Sequence, residues 1–488
     1  MSGARVAVVG GGISGLAAAW FLRQSLGPEA QIVVLEKQPV VGGHLRVSDV
    51  AGLPVDEGAE SLLARRPEAV ELARAVGLGD DIVHPAAVGA GLWSRGSIVP
   101  MPAGTVMGVP ADPARLAGVL TAGEVAAAIA RDASPPGLAV DEDVAIGRLV
   151  RSRYGDAVAD RLVEPLLGGV YAGRADELSL DATVPALGAA VRTARTLGEA
   201  VAMAATRPGG SPAGAGSGTP ASSGSVGTPG PVFAGLAGGV GRLPGAVAAA
   251  SGAEVRTGVT VRSIERTPNG WRLVTGPVPA PSVLEVDAVV MATPAVAAAR
   301  LLAEAAPAAA AELGAVKAAS MAIVTLALPA DGFPAAPSSS GFLVPPVERR
   351  TVKAVTFSSV KWPWLGERAD GMVLLRASLG RYGETRDLQR DDGELVAAAL
   401  ADVRAATGYA GGVVDSRVTR WGGALPQYAV GHLDRVARVR AAVDAVPGLA
   451  VCGAVYDGVG VAACVGAARA AAGRVAASLS ERRARIDT

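Results

Sequence analysis

Residues 6–15 read VAVVGGGISG. A short apolar run leads directly into three consecutive glycines, and a fourth follows after a two-residue gap. The spacing is Gly10-x-Gly12-x-x-Gly15. The next residues, GISGLAAAWFLRQSL, carry apolar side chains at helical intervals, and QIVVLEK then forms a second apolar run ending in Glu36. Strand, glycine turn, helix and strand within about thirty residues make one unit of a parallel sheet. Each glycine has a task there. Gly10 turns the chain out of the strand, Gly12 lets backbone approach a pyrophosphate, and Gly15 lets the helix lie close to the strand. Phosphate oxygens then face the free N–H groups at the helix N-terminus. Glu36 stands where a carboxylate accepts hydrogen bonds from a ribose diol. A turn used for packing alone would not require that acid.

The rest of the chain bounds the possibilities. At 488 residues it predicts two or three domains. Lys plus Arg and Asp plus Glu both number 45, so no basic excess marks a nucleic-acid binder. Two cysteines, Cys452 and Cys464, and three histidines, His44, His84 and His432, offer no metal-ligand spacing and no disulfide framework. They suit a reducing compartment. The opening MSGARVAVV lacks the pattern of a secretory signal. The apolar stretch VPGLAVCGAVYDGVGVAACVGAA contains Pro447, Asp457 and several glycines where a membrane span would want leucines. A cytoplasmic protein is expected, with peripheral membrane contact left open.

Strand–helix patterns recur at both ends of the sequence. Between them lie a helical region from about 110 to 206 and a strand-rich region from about 320 to 380. Residues 207–231, RPGGSPAGAGSGTPASSGSVGTPGP in essence, are almost all Gly, Ser, Pro, Ala and Thr, and predict a disordered insertion in a surface loop. A dinucleotide domain assembled from separated segments gives this layout.

The fingerprint alone does not separate NAD from FAD. A second glycine pair, Gly42–Gly43, follows Glu36 and predicts another close approach of backbone to a longer dinucleotide. Near the C-terminus, CGAVYDGVGVAACVGAARAAAGRV is again strand, glycine-rich turn and helix. A helix starting near Val459 to Val461 would place its N-terminal dipole at the O2/N1 edge of a flavin and favour the reduced anion.

These segments carry a resemblance. GGGISGLAAA, LEKQPVVGGHLRV, DEGAESLLARRPEAVELARAVGL, VEPLLGGVYAGRADELS, FAGLAGGVGRL, RWGGALPQYAVGH and CGAVYDGVGVAACVGAAR follow one another across nearly the whole chain. Together they resemble the flavin amine oxidase superfamily and, within it, the bacterial protoporphyrinogen/coproporphyrinogen oxidases. VEPLLGGVYAG and RWGGALPQYAVGH are the segments most particular to that subfamily. His44 departs from the Arg or Lys often found after the glycine pair.

The resemblance implies a mixed α/β fold. It has a discontinuous Rossmann-like FAD domain (1–90, 232–303 and 440–488), a helical lobe (103–206) and an antiparallel-sheet substrate domain (91–102 and 304–439). It implies FAD contacts at Gly10, Gly11, Gly12, Ile13, Ser14, Gly15, Glu36, Lys37, Gly43, Gly58, Ala59, Glu60, Ser61, Val261, Val459, Gly460 and Val461, with Trp421 as a weaker addition. It also implies the reaction. A porphyrinogen loses six electrons, flavin takes two at a time as hydride at N5, and O2 reoxidises it with release of hydrogen peroxide.

Flavin carries that chemistry, which matches a sequence offering no Ser-His-Asp or Cys-His constellation. The protein must hold a flat macrocycle and its carboxylates, a task for arginine. Arg46, Arg65, Arg66 and Arg95 are the candidates, followed by Arg174 and Arg420; each has the alternative of a surface ion pair. Gly169 and Tyr171, in GGVYAG, either line the substrate cavity or form a helix C-cap with a packed tyrosine. Trp421 and Tyr428 either wall the ligands or belong to the core. His432 is expected to be an exposed loop residue, Asp56 and Glu57 structural acids near the flavin loop, and Cys452 a buried strand residue. The preferred substrate is coproporphyrinogen III, with protoporphyrinogen IX as runner-up and a monomer or homodimer as the assembly. An amine oxidase, a carotenoid desaturase and a non-catalytic porphyrin-binding flavoprotein are the remaining alternatives.

Overall fold

In the computed structural model, β1 (Arg5–Val9) and β2 (Gln31–Leu35) run parallel, and α1 (Ile13–Leu26) connects them. The structure describes residues 3–206 and 231–486; the expected disordered insertion lies outside them but for its last residue. Four of the five residues are buried in each of these strands. Near-continuous apolar runs of this kind belong to a parallel sheet with both faces covered.

Three distant segments complete that sheet: β3 (Glu254–Arg256), β4 (Ala288–Met291) and β5 (Leu449–Val451). The order is β3-β2-β1-β4-β5, and every pairing is parallel. All five strands therefore end at one edge. The turns after β1, β2, β4 and β5 gather there, which is where open α/β sheets bind ligands. α2 (Val461–Ile486) follows β5 and packs on α1. Their shared core is built of small side chains, including Ala17, Ala18, Ala468 and Ala471, which let the two helices approach closely.

A seven-stranded sheet stands beside this one. Its order is Asp415–Pro426, Ala318–Pro329, Met372–Leu379, Val352–Phe357, Gly341–Leu343, Gly91–Ser94, Ser97–Pro100. All neighbours are antiparallel except Gly341–Leu343 with Gly91–Ser94. Residues 91–100 thus join a sheet built mostly from residues beyond 318. Their hairpin turns at Arg95 and Gly96, both with positive φ (52° and 84°), as a two-residue turn between twisted strands requires.

Alternation gives this sheet two unlike faces. Ala322, Val324, Leu326, Leu375, Ala377 and Leu379 pack on Leu395, Ala399 and Val403 of the helix Asp392–Thr407. The intervening positions, among them Ile323, Thr325, Arg376 and Trp421, turn toward the parallel-sheet domain.

Helices between Ala122 and Thr206 form a lobe with its own apolar core, into which Leu92, Leu343 and Tyr428 of the sheet region insert. Pro67 opens the helix Pro67–Ala75 at its first turn, where its fixed φ suits the helix and its missing N–H costs no bond. A three-stranded meander, Val261–Thr267, Gly270–Thr275 and Ser282–Val286, lies between β3 and β4 in sequence. Among the described residues no helix is long and apolar enough to cross a membrane, and no group of His, Cys, Asp and Glu could hold a metal.

Candidate functional site

The glycine turn is sterically compulsory at two positions and open at a third. A Cβ on Gly15 would lie 1.9 Å from the Gly10 carbonyl oxygen, so α1 can approach β1 this closely only with glycine there. Gly10 itself has φ 111°, and its Cβ would meet the Ala292 carbonyl at 2.6 Å. At Gly12 the nearest atom to an added Cβ is the Gly43 Cα, 3.9 Å away. The two glycine motifs therefore face each other, and the pairing of Gly12 with Gly42 and the 2.8 Å Gly42 N–H bond to the Gly11 carbonyl hold them there.

This arrangement fits the diphosphate of a dinucleotide. Bare backbone from Gly12 and Gly43 lines the approach, and the α1 N-terminus carries no side-chain cap that would compete for its N–H groups. The Thr293 hydroxyl, just after β4, is buried with no hydrogen-bond partner, and its methyl group is 3.5 Å from the Cβ position of Gly10. A buried unpartnered hydroxyl at a ligand-binding edge points to a ligand.

Glu36 is buried (9% exposed) at the end of β2. Its carboxylate accepts from the Gly11 N–H at 2.7 Å and the Gln38 N–H at 2.8 Å. It ties the turn to β2 and holds an acceptor beside the glycine motif. Val259 N–H donates to the Glu36 carbonyl at 2.8 Å, which brings the start of the Val261 strand to the same place. Val261 and Ser14 are buried and Lys37 is exposed.

The C-terminal turn lies against the N-terminal one. Cys452 Sγ is 3.7 Å from the Ser14 carbonyl. Gly453 and Gly458 both have φ 137°, Gly460 is exposed, Val459 is half-buried, and α2 begins at Val461. Burial pushes the Cys452 thiol up, and Cys464 up to about 11, so both are inert packing groups.

The third component is the loop Gly58–Ser61. A Cβ on Gly58 would lie 1.8 Å from the His44 carbonyl, so this loop presses directly on the second glycine motif. Trp421 Nε1 donates to the Glu57 carbonyl at 2.9 Å, and Arg376 Nη2 donates to the Gly58 carbonyl. Glu60 is enclosed by cations: Lys361 Nζ at 2.6 Å and Arg376 Nη1 at 2.9 Å, with the Ser358 hydroxyl donating at 3.0 Å. Lys361 also donates to the Ser61 hydroxyl at 2.9 Å. Burial alone would raise the Glu60 pKa; Lys361 and Arg376 overcome it and hold the carboxyl at about 2. Glu60 thus works through its cations to fix the loop, while Ala59 stands exposed at its tip. Asp56 caps the 235–242 turn by accepting from Val240 N–H (3.0 Å) and Gly241 N–H (2.8 Å), and burial raises it to about 6. Glu57 pairs with Arg417 at 2.7 Å. Both are the structural acids the sequence suggests.

The substrate candidates separate. Arg46 sits over the Trp421 ring, 5.5 Å from its centre, with Nε buried and unpartnered, and His44 meets the same ring edge-on at 5.1 Å. Arg66 pairs with Glu68 at 2.7 Å. Arg95 pairs with Glu124 at 2.8 Å and donates to the Val119 carbonyl, fastening the hairpin to the helical lobe. Arg420 pairs with Asp392, Arg174 donates to the Tyr382 carbonyl at 3.3 Å, and Arg65 is exposed.

Tyr171 ends the helix Glu164–Tyr171, with Ala172 in the left-handed region as its cap. Its ring is buried 5.5 Å from that of Tyr428, and its carbonyl accepts from Gln427. Gly169, inside this helix, is exposed, and a Cβ there would lie 3.7 Å from Leu343 Cδ2.

One expectation is corrected: His432 is not an exposed loop residue. It is 1% exposed at the first turn of the helix His432–Asp444, stacked on Tyr428 at 4.1 Å. Its Nε2 donates to the Val455 carbonyl at 2.9 Å, and burial pulls its pKa down to about 4, so it is a neutral core histidine. Tyr428 also donates to the Ala454 carbonyl, linking the sheet to the C-terminal turn.

Sequence reasoning missed Arg376, Lys361 and Thr293. Arg376 did leave a signal, as a lone charge inside the strand MVLLRASL. Lys361 left none, because its partners Glu60 and Ser61 are remote in sequence, and Thr293 left none, because its hydroxyl has no partner in the chain.

Comparison with known proteins identifies the family. The family described as flavin containing amine oxidoreductase matches residues 13–476. A coproporphyrinogen III oxidase of Mycobacterium tuberculosis is 40% identical over 478 residues, covering 97% of each chain. That of Bacillus subtilis is 29% identical, covering 96% of each. A crystal structure from Exiguobacterium sp. 255-15, assigned as a protoporphyrinogen oxidase, superposes with a TM-score of 0.83 at 29% identity, covering 98% of this chain and 99% of that one. The chain belongs to the flavin-containing amine oxidoreductases and is an FAD-dependent oxidoreductase.

Proposed function

We propose that the protein oxidises coproporphyrinogen III to coproporphyrin III in the cytoplasm, with O2 as electron acceptor, as a step of haem biosynthesis. The observation that carries this reading is the extent of the likeness to coproporphyrinogen III oxidases. It covers 97% of each chain at 40% identity, against 28% identity over the same share of this chain for the protoporphyrinogen oxidase of Bos taurus.

Bound FAD supplies the two-electron chemistry and its reoxidation by O2, so that three rounds account for six electrons and three molecules of hydrogen peroxide. The chain's own residues bind, orient and enclose. The α1 N-terminus, Gly12 and Gly43 would hold the diphosphate, Glu36 a ribose diol, and the α2 N-terminus the flavin edge. Lys361, Arg376, Glu60 and Trp421 fix the loop beside it. A covalent flavin–cysteine link, as a competing amine-oxidase reading would favour, has no support here, because Cys452 is fully buried against Ser14.

The test is direct. Purified protein should be yellow with flavin absorbance, and coproporphyrinogen III should yield porphyrin fluorescence faster than protoporphyrinogen IX. Faster turnover of protoporphyrinogen IX would replace the substrate, a reading that the Exiguobacterium relative's assignment favours. Flavin without oxidation of either would leave a non-catalytic porphyrin binder.

A further inference from the structure

A second cluster of charge lies away from the flavin loops. Between the helix Glu164–Tyr171 and the strand Val352–Phe357 is a small cavity bordered by Glu164, Gly168, Gly173, Lys353 and Arg381. Lys353 is 3% exposed, and its Nζ donates to one acceptor, the Gly168 carbonyl at 3.3 Å. Arg381 reaches the cavity from beyond the strand Met372–Leu379, and its guanidinium donates to the Val344 and Arg350 carbonyls, both at 3.3 Å. Among the described residues neither cation has a carboxylate within the 4.0 Å of an ion pair. Glu164 does not supply one: its carboxyl accepts from the Ala175 N–H at 2.8 Å.

Two unpaired cations facing one cavity are costly unless an anion meets them. Burial, reinforced by Arg381, pulls the Lys353 pKa down to about 7, and burial raises Glu164 to about 7. The bare site therefore holds its charge weakly, and a carboxylate would restore it.

The location fits a particular carboxylate. Lys353 lies five residues before Ser358, which donates to Glu60 at 3.0 Å in the flavin loop. Along an extended strand that is about 16 Å. Gly168 and Gly173 bracket the turn that exposes Gly169.

We propose that Lys353 and Arg381 form a subsite that receives one peripheral carboxylate of the tetrapyrrole, at the end of the macrocycle remote from the flavin. This rests on the porphyrinogen reading above and adds the residues that anchor the substrate.

The test uses FAD-loaded full-length Lys353→Met, which keeps the aliphatic stem and removes the charge. Replacing an uncompensated buried charge by an apolar side chain of similar volume is neutral or stabilising, so its melting temperature should equal or exceed that of the wild type. Fluorescence titration with coproporphyrin III should show Kd weakened at least about tenfold, with FAD affinity unchanged; a charge-assisted bond is worth this much. Lys353→Gln should do the same, and Lys353→Arg should recover part of the affinity. A Kd within twofold of wild type in both neutral variants overturns the subsite. Sodium acetate raising the wild-type melting temperature but not that of Lys353→Met, with equal porphyrin Kd, would assign the pocket to free small anions and also overturns it. Wild-type protein that neither binds coproporphyrin III nor oxidises either porphyrinogen would fail the functional reading itself, which is distinguishable from both.

Discussion

The indole N–H of Trp421 donates to the main-chain carbonyl of Glu57 at 2.9 Å, across 364 residues of sequence. The edge strand of the antiparallel sheet thereby sets the height of the loop that leads into Gly58–Ser61. Trp421→Phe keeps most of the ring and removes the donor. The buried Glu57 carbonyl then loses its partner, at a cost of about 1–3 kcal/mol. The expected outcome is a lower melting temperature and faster FAD release, read by thermal melts with and without excess FAD. Identical melts and FAD off-rates would show that the bond does not position the loop.

Gly12 and Gly15 predict opposite failures of one motif. Gly15→Ala drives a methyl group to within 1.9 Å of the Gly10 carbonyl, so β1 and α1 must separate. Helix and strand share the main core of the domain, and little soluble folded protein is expected. Gly12→Ala meets nothing closer than 3.9 Å in the bare protein. It should fold with a wild-type circular dichroism spectrum and purify colourless, because the methyl group occupies the approach a diphosphate needs. A yellow Gly12→Ala protein would remove the diphosphate from that position.

Glu60 gives the protein a specific acid lability. Its folded pKa of about 2 lies below the unfolded value of 4.5. The unfolded state therefore binds more protons between those values, and the stabilisation, present in full above pH 4.5, is lost as pH falls toward 2. The shift corresponds to about 3 kcal/mol. Glu60→Gln should flatten the acid limb of a stability–pH profile. It should also lower stability at pH 7, since Lys361 and Arg376 would be left buried without a counter-charge. A profile below pH 4.5 that is parallel in wild type and variant would show that other carboxylates dominate.

The parallel-sheet core was readable because its signals are local. Four apolar residues, a glycine turn and a terminal acid lie within a single βαβ unit, and each has one physical reading. Much of the site was not local. Glu60 is an ordinary acid in DEGAES until Lys361, from the short helix Ser358–Lys361, and Arg376, from the strand Met372–Leu379, arrive from about three hundred residues away. His432 reads as a loop histidine because nothing in RWGGALPQYAVGH shows that Tyr428 will stack on it and that the Val455 carbonyl will accept a hydrogen bond from its ring. Arginines are the least legible class of all. Periodicity cannot distinguish a guanidinium aimed at a ligand from one aimed at the next helix.

That last distinction carries a prediction of its own. Arg66, Arg95 and Arg420 each have an acidic partner, and at least one member of every pair is more than a third exposed. Such pairs contribute about 0.2–1 kcal/mol to stability, and their guanidinium groups are already occupied. Alanine at each position should leave KM for coproporphyrinogen III within about twofold and the melting temperature nearly unchanged. Arg46 differs, because it lies over Trp421 with a buried unpartnered Nε and no acid in reach of an ion pair among the described residues. Arg46→Met should therefore change FAD affinity, KM or both, by about tenfold if one charge-assisted bond is lost. Steady-state kinetics and FAD titration on the four variants decide it. A tenfold rise in KM confined to Arg95→Ala would mean that the substrate displaces Glu124 and that the hairpin turn, not the flavin loop, holds a carboxylate.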